Sequence, residues 1–158
     1  MYDAARELVN VLKEKKLSIS AAESCTGGLF AAAIVSVPGA SDVFNESYVT
    51  YSNEAKMKNL GVRGETLKEH GAVSEQTAKE MAAGCARASG AELAVSITGI
   101  AGPDGGSPKK PVGLVYTGCA LCGRVFVEKN IFKGDREQVR NAAAEQALEF
   151  ALEIVRRN

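Results

Sequence analysis

The stretch ESCTGG, residues 23–28, places a serine, a cysteine, a threonine and two glycines between two apolar runs. The run before it, LSISAA, is typical of a buried strand, and the run after it, LFAAAIVSV, has the length of a short helix. On such a turn Ser24 or Cys25 could act as a nucleophile. Gly27 and Gly28 would let backbone N–H groups approach a phosphate or a developing oxyanion. The alternative is a tight turn that carries no chemistry.

Familiar catalytic sets leave few partners for such a nucleophile. His70 is the only histidine, so a Ser-His-Asp triad would depend on it, and neither a G-x-S-x-G elbow nor a Walker loop is present. A lysine acts as a base when burial keeps it neutral, and Lys56, just after the second predicted strand, is the best candidate. From spacing alone, however, Lys56 and Lys58 are more typical of ordinary solvated helix residues. Cys25 would need a cation or a helix end to stabilise its thiolate.

Four cysteines, at positions 25, 85, 119 and 122, raise the question of disulfides or zinc. Two of them form CALC inside GLVYTGCALCG, a run that predicts a strand. Side chains three residues apart on a strand point to opposite faces, so this pair neither shares a metal nor forms a redox turn. A four-ligand zinc site would need all the remaining thiols, since the chain has one histidine. We predict buried, reduced cysteines and no metal site.

Helical and strand patterns alternate through the first two thirds of the chain. The predicted strands are 17–23, 42–51, 91–98, 112–122 and 124–132, with the last two joined as a hairpin. The predicted helices are an opening helix with Ala5, Leu8, Val9 and Leu12 on one face, 29–37, a short helix before Gly61, 75–89 capped by Ser74, and a last helix capped by Asp135. This order predicts an α/β fold whose mostly parallel sheet is covered on both faces.

Three polar segments follow the first three predicted strands: ESCTGG, YSNEAK and TGIAGPDGGS. Ligands of such sheets bind outside the carboxyl ends of the strands, so we expect these segments to converge on one site. The stretch GIAGPDGG carries four glycines in eight residues, more than one turn requires. It is typical either of a loop that wraps closely around a ligand or of a mobile loop with no ligand.

The length, charge balance and hydropathy of the chain limit the classes of protein to which it can belong. The chain has 158 residues, enough for one domain with a sizeable core, and its 19 Lys plus Arg balance 19 Asp plus Glu. This neutral balance argues against a nucleic-acid partner. No apolar stretch reaches the length of a membrane-spanning helix, and the charged start MYDAARELVNVLKEKK has no signal-peptide core, which favours a cytoplasmic protein without a membrane partner.

Five stretches together resemble one known family: AESCTGG, YSNEAK, GAVSEQTA, TGIAGPDGGSPKKPVG and FKGDREQVR. They are similar to the CinA carboxyl-terminal domain, also known as the PncC-type nicotinamide mononucleotide deamidase family, from about residue 3 to 155. The resemblance implies a three-layer α/β/α fold with a five-stranded mixed sheet, as one domain over 1–158. Many relatives carry a larger preceding domain, so the chain resembles the stand-alone form.

The same resemblance implies hydrolysis of the carboxamide of nicotinamide mononucleotide to nicotinic acid mononucleotide and ammonia, without metal or cofactor. It implies a serine–lysine arrangement of Ser24 and Lys56, with Tyr51 nearby. It also implies that Ser41, Thr98 and an arginine of DREQVR place the substrate, with Arg140 preferred over Arg136. The full predicted substrate-binding set is Thr26, Gly27, Gly28, Ser41, Thr98, Gly99, Gly102, Gly105, Gly106 and Arg140.

Two other functions stay open at this stage. The same serine–lysine pair could hydrolyse another small amide. A domain of this family could instead bind a nucleotide or a protein partner without catalysis, in a competence or DNA-damage response. Assembly into a homo-oligomer, with a dimer favoured, is expected because most soluble enzymes form symmetric oligomers.

Overall fold

Six helices and five strands make up the computed structural model, which describes all 158 residues. The helices are α1 (Tyr2–Lys15), α2 (Leu29–Val35), α3 (Asn53–Leu60), α4 (Gly64–His70), α5 (Glu75–Ser89) and α6 (Arg136–Arg157). The strands are β1 (Ile19–Glu23), β2 (Phe44–Val49), β3 (Leu93–Gly99), β4 (Leu114–Leu121) and β5 (Arg124–Ile131). Every strand and helix expected from the sequence is present, with ends shifted by a few residues. None of the helices combines the length and hydropathy that crossing a membrane requires.

The five strands form one mixed sheet in the order β2-β1-β3-β4-β5. Strand β1 pairs in parallel with both β2 and β3, whereas β4 runs antiparallel to β3 and β5. The mixed five-stranded sheet is therefore confirmed, with three parallel strands and an antiparallel hairpin. Because β1, β2 and β3 are parallel, their carboxyl ends meet at one edge of the sheet, where the polar segments follow.

Two apolar clusters, one on each face of the sheet, make this a three-layer α/β/α domain. The larger cluster has 28 buried residues, and its helical members come from α1, α2 and α6. The smaller has 9, and its helical members come from α3, α4 and α5. Strand β1 is buried at all five positions, because helices cover both of its faces. The central strands are thus rigid supports for whatever follows their ends.

The cysteines do not all follow the prediction. Cys25, Cys85 and Cys119 are buried, but Cys122 is exposed, and all four are free. Cys122 lies outside β4, in the turn to β5, with a φ of 48°. The strand prediction ran one residue too long here, because an apolar residue type says little about where a hairpin turns. The expectation that both cysteines lie on one strand is therefore wrong, but Cys119 is buried, Cys122 is exposed, and no disulfide joins them.

Helix α5 contacts the end of α3 at Gly84. A Cβ added there would overlap the carbonyl oxygen of Leu60, the last residue of α3. This contact leaves no room for a side chain between α5 and the end of α3, the helix that carries Lys56.

Gly84→Ala is expected to destabilise the domain by about 1–3 kcal/mol, because the new methyl group must push α3 away from α5. The sign of this change in the free energy of unfolding is informative, because helix propensity alone predicts that the same substitution stabilises the domain by about 1 kcal/mol. Urea unfolding followed by circular dichroism measures the difference. A midpoint that rises or stays unchanged would show that the two helices are not held at contact distance.

Candidate active site

A cavity of about 260 Å³ opens at the carboxyl edge of the parallel strands. The three polar segments line it, namely the turn after β1, the segment from Tyr51 to Lys56 after β2, and the end of β3 with the loop that follows. Ala72 and Val73 before α5, and Arg136 at the start of α6, complete the lining. Of the predicted site residues, those that line the cavity are Ser24, Tyr51, Lys56, Thr98, Gly99, Gly102 and Gly105. The expected convergence of the three polar segments is present in the structure.

Ser24 and Lys56 contact each other directly in this cavity. The Nζ atom of Lys56 lies 3.0 Å from the Oγ atom of Ser24. The same nitrogen donates to the carbonyl oxygen of Thr50 at 2.7 Å and to that of Tyr51 at 3.4 Å. No carboxylate contacts it. A nitrogen with three polar neighbours and no counter-ion is well suited to lose its charge.

Burial decides the protonation of Lys56. Its side chain is fully buried, which disfavours the ammonium form and lowers the pKa from 10.5 to about 8, although the Cys25 sulfur acts in the opposite direction. In the neutral amine, two N–H groups satisfy the carbonyls of Thr50 and Tyr51. The lone pair then faces Ser24 Oγ and can accept its proton, which is the geometry that a general base requires.

Local structure explains why Lys56 reaches this position. Ser52 caps α3 by accepting a hydrogen bond from the N–H of Ala55 at 3.1 Å, which fixes the first turn of the helix. Gly61 ends α3 in the left-handed conformation. The helix is eight residues long, and its last residue, Leu60, packs against Gly84 of α5. Lys56 therefore stands on a short helix held at both ends.

Cys25 lines the same cavity but is a poor nucleophile. Burial raises the pKa of its thiol to about 11, so little thiolate exists near neutral pH. The helix end that could have stabilised a thiolate already has a partner, the carboxylate of Glu23. Ser24, which has a base at hydrogen-bond distance, is the better candidate of the two.

Glu23 is a buried residue of this turn that was not predicted from the sequence. Its side chain is 1% exposed, and its carboxylate accepts hydrogen bonds from the N–H groups of Gly28, Phe30 and Ala31 at 2.9–3.1 Å. A carboxylate a few residues before a predicted helix start is the signal that could have revealed it, because helix N-termini favour negative charge. The first turn of α2 is thus fully occupied by an anion of the chain itself.

This corrects the expectation for the two glycines of the turn. The N–H of Gly28 donates to Glu23, and that of Gly27 donates to the carbonyl of Ser24 at 3.1 Å, so neither is free to bind a substrate anion. Both glycines adopt positive φ, 61° and 104°, which explains their presence in a tight turn. Thr26 is fully buried and does not line the cavity.

The glycine-rich loop after β3 forms one wall of the cavity. Gly99, Gly102 and Gly105 line it, whereas Gly106 packs against Val112 instead. The hydroxyl of Thr98 donates to the carbonyl of Ala72 at 2.7 Å, which ties the end of β3 to the segment before α5. Thr98 therefore has a structural hydrogen bond as well as a place at the cavity surface.

The two arginines of DREQVR take different positions. Arg136 lines the cavity, where it donates to the carbonyl of Gly102 at 2.8 Å and to the hydroxyl of Tyr51 at 3.0 Å. Tyr51 is 63% exposed, so its phenol lies at the mouth and bonds Arg136 rather than Ser24 or Lys56. Its link to the catalytic pair is through its carbonyl oxygen, which accepts from Lys56.

Arg140, the preferred arginine of the sequence analysis, does not line the cavity. Its Nε donates to the carbonyl of Cys25 at 3.0 Å and its Nη2 to that of Thr26 at 2.9 Å. Arg136 and Arg140 are one helical turn apart on α6. Arg136 therefore lies at the cavity, whereas Arg140 contacts the far side of the turn formed by residues 24–28. The structure favours Arg136 as the arginine available to a substrate.

Ser41 does not belong to this site in the structure. It lies in a short 3-10 helix, Ala40–Asp42, that precedes β2, and neighbouring Asp42 pairs with Lys13 at 2.9 Å. Ile19, at the start of β1, pairs with Phe44, whereas Ser24 follows the last residue of β1. Ser41 is therefore near the opposite edge of the sheet, about one strand length from the cavity.

Comparison with known proteins assigns the family. The CinA C-terminal domain family matches residues 1–155. The chain belongs to the CinA family. This CinA domain is 56% identical over 150 residues, 95% of its length, to a CinA-like protein from Kosmotoga olearia. The chain spans 35% of that relative, about a third of its length.

Solved CinA structures match over nearly their whole chains. A CinA superfamily protein from Klebsiella pneumoniae is 34% identical, with a TM-score of 0.96 over 99% of this chain and 98% of that one. The competence/damage inducible protein CihA from Agrobacterium tumefaciens is 44% identical, with a TM-score of 0.91 over 96% of this chain and 94% of that one. The three-layer fold is thus the CinA fold.

Other catalytic sets find no support in this CinA domain. His70 ends α4 and lies outside the cavity, and its Nε2 is 3.8 Å from Glu69, its neighbour in the chain. No group of three or more His, Cys, Asp or Glu side chains is placed to hold a metal ion. The chemistry that the side chains themselves offer is that of a serine with a lysine base.

Proposed function

We propose that this CinA-type domain hydrolyses the carboxamide of nicotinamide mononucleotide, giving nicotinic acid mononucleotide and ammonia. The observation that carries the proposal is the 3.0 Å contact between Ser24 Oγ and a buried lysine whose pKa is lowered to about 8. Amide hydrolysis needs a nucleophile and a base that can later protonate the leaving nitrogen, and this pair supplies both.

In the first half of the reaction, neutral Lys56 takes the proton of Ser24 as Oγ attacks the carboxamide carbon. The C=O electron pair moves onto oxygen, giving a tetrahedral intermediate. Protonated Lys56 then gives its proton to the amide nitrogen, the C–N bond breaks, and ammonia leaves. The product is an acyl ester on Ser24 and a neutral lysine.

The second half repeats these steps with water. Lys56 takes a proton from the attacking water, the acyl–Oγ bond breaks, and the proton returns to Ser24. Each step uses the same nitrogen, so the two carbonyls of Thr50 and Tyr51 hold the base in place throughout. One buried lysine thereby serves both as base and as acid.

Arg136 is the residue that we propose for the 5′-phosphate of the substrate. Its guanidinium lies at the cavity mouth and uses two of its five N–H donors on Gly102 and Tyr51, which leaves donors for a phosphate. The N-terminus of α2 is not available for this role, because Glu23 occupies it.

Purified protein is expected to release ammonia from nicotinamide mononucleotide, and more slowly from nicotinamide riboside, which lacks the phosphate. Nicotinamide and glutamine, tested beside them, are expected to react least, because they lack the ribose phosphate that Arg136 would hold. A coupled ammonia assay with Ser24→Ala as the blank makes the measurement.

Each other outcome assigns a different function. Preference for glutamine or another small amide would replace the substrate and keep the serine–lysine chemistry. Absence of ammonia from every amide, with nicotinamide mononucleotide binding in calorimetry, would make the domain a non-catalytic nucleotide-binding module.

A further inference from the structure

Charged side chains from β1 and α6 hold the backbone of the turn after β1, residues 24–28, which carries Ser24. Glu23 accepts hydrogen bonds from N–H groups at the start of α2, as described above. Arg140, from α6, donates to the carbonyl oxygens of Cys25 and Thr26 at 3.0 and 2.9 Å. The N–H of Gly27 donates to the carbonyl of Ser24 at 3.1 Å. An anion and a cation of the chain thus fix consecutive peptide groups.

The positive φ of Gly27 and its lack of a side chain permit this arrangement. Its φ of 61° closes the turn, and a Cβ added there would lie 3.4 Å from Nη2 of Arg140. A larger residue would therefore press on the guanidinium that holds the two carbonyls. A glycine at this position therefore lets the Arg140 guanidinium approach the backbone of the turn closely.

Two N–H groups of the turn are left without an acceptor in another residue, those of Cys25 and Thr26, and the N–H of Cys25 contacts only the sulfur of its own side chain. Buried backbone donors are nearly always paired, so each unpaired group needs a reason. Thr26 is fully buried and does not line the cavity. Cys25 does line it, and directly follows the nucleophile.

We propose that the N–H of Cys25 is the catalytic donor that stabilises the oxyanion, and that Arg140 and Glu23 are positioning residues for it. The proposal rests on the amidase function proposed above. The peptide between Ser24 and Cys25 is planar and trans, so its N–H points opposite to its C=O. Because Gly27 holds that C=O inside the turn, the N–H of Cys25 faces away from the turn, and Ser24 and Cys25 both line the cavity.

The chemistry requires a donor at this place. When Oγ adds to the carboxamide, the oxygen gains an electron pair, and a fixed N–H beside the nucleophile stabilises that charge. When the C–N bond breaks, the pair returns to the carbonyl and the hydrogen bond weakens. The thiol of Cys25 has no part in these steps, which explains how a cysteine with a raised pKa can stand next to the catalytic serine.

The test changes a single N–H group. Cys25→Ala is the reference, and the comparison protein carries lactic acid at position 25, which replaces the N–H by an ester oxygen and leaves the same methyl side chain. Relative to the reference, the ester protein is expected to lose about 100–1,000-fold in kcat with little change in KM. Thermal melting checks that the turn, whose ester carbonyl accepts from Gly27 less strongly, still folds.

A second probe needs no turnover of nicotinamide mononucleotide. Pyridine-3-boronic acid forms a tetrahedral adduct with a nucleophilic serine, and one boronate oxygen takes the position of the oxyanion. Its affinity is expected to fall in the ester protein by a factor close to that in kcat. Equal affinity for both proteins, or no adduct with the wild type, overturns the proposal.

The two proposals fail separately. Full kcat in the ester protein overturns the oxyanion assignment and leaves the amidase function standing. No ammonia from the wild type, together with a boronate affinity that depends on the N–H, overturns the amidase function and supports the donor.

Arg140 and Arg136 provide a matched pair for the positioning role, since they are one turn apart on α6. Arg140→Met is expected to lower kcat and boronate affinity together, with partial recovery in Arg140→Lys, which keeps one cation for the two carbonyls. Arg136→Met is expected to raise KM. A rise in KM alone for Arg140→Met would mean that Arg140 contacts the substrate, against the proposal. If Arg140→Met does not fold, the ester comparison decides.

Discussion

Ser24→Ala is expected to abolish ammonia release from nicotinamide mononucleotide, with a loss in kcat on the order of 1,000-fold or more. The hydroxyl is the atom that attacks, and no other nucleophile with a base at hydrogen-bond distance lines the cavity. Cys25→Ala is expected to retain activity within about tenfold of wild type, because burial raises the pKa of its thiol to about 11 and the proposed contribution is its backbone N–H.

Both variants should fold, since each removes one small group from a turn held by Glu23 and Arg140. Circular dichroism and thermal melting check this, and ammonia release under saturating substrate measures kcat. Full activity in Ser24→Ala together with loss in Cys25→Ala would reverse the assignment and make the protein a cysteine amidase.

The contact between Ser24 and Lys56 could be predicted because it depends on topology. Ser24 follows one strand and Lys56 follows the next along the chain, and parallel neighbours bring their carboxyl ends together. Burial of Lys56 could not be predicted from the sequence, because its spacing alone favours an ordinary solvated helix residue. Its side chain is fully buried, on a helix whose last residue packs against Gly84 of α5, a contact between distant segments that no local pattern reveals.

The supporting residues could not be predicted because they bind backbone rather than side chains. Glu23 caps a helix from five to eight residues away, and Arg140 reaches carbonyls more than a hundred residues earlier in the chain. Choosing between Arg136 and Arg140 requires the rotation of α6 about its axis, since the two lie one turn apart. Ser41 was included in the predicted substrate-binding set because of the family resemblance alone. The order of the elements places it at the other edge of the sheet.

Lys56→Met is expected to reduce kcat nearly as much as Ser24→Ala, because the nucleophile and its base act as one unit. For the same reason the double variant should be scarcely worse than either single one. Lys56→Arg should not restore activity, since a guanidinium stays charged and cannot accept the serine proton. Ammonia release from the four variants, measured together, tests this non-additivity. Losses that multiply in the double variant would mean that the two residues act independently.

The pH dependence of the wild type follows from the same lysine. Burial lowers the pKa of Lys56 to about 8, and only the neutral amine can act as base, so kcat/KM should rise with pH and level off above that value. Acid protonates the lysine and stops the reaction, so kcat/KM should rise with pH. An enzyme that needs a lysine cation would show the opposite, a fall in kcat/KM as pH rises. A profile that falls as pH rises from 7 to 9 would show that the charged form is the active one. Lys56 would then serve to stabilise charge, and the proton of Ser24 would need another acceptor.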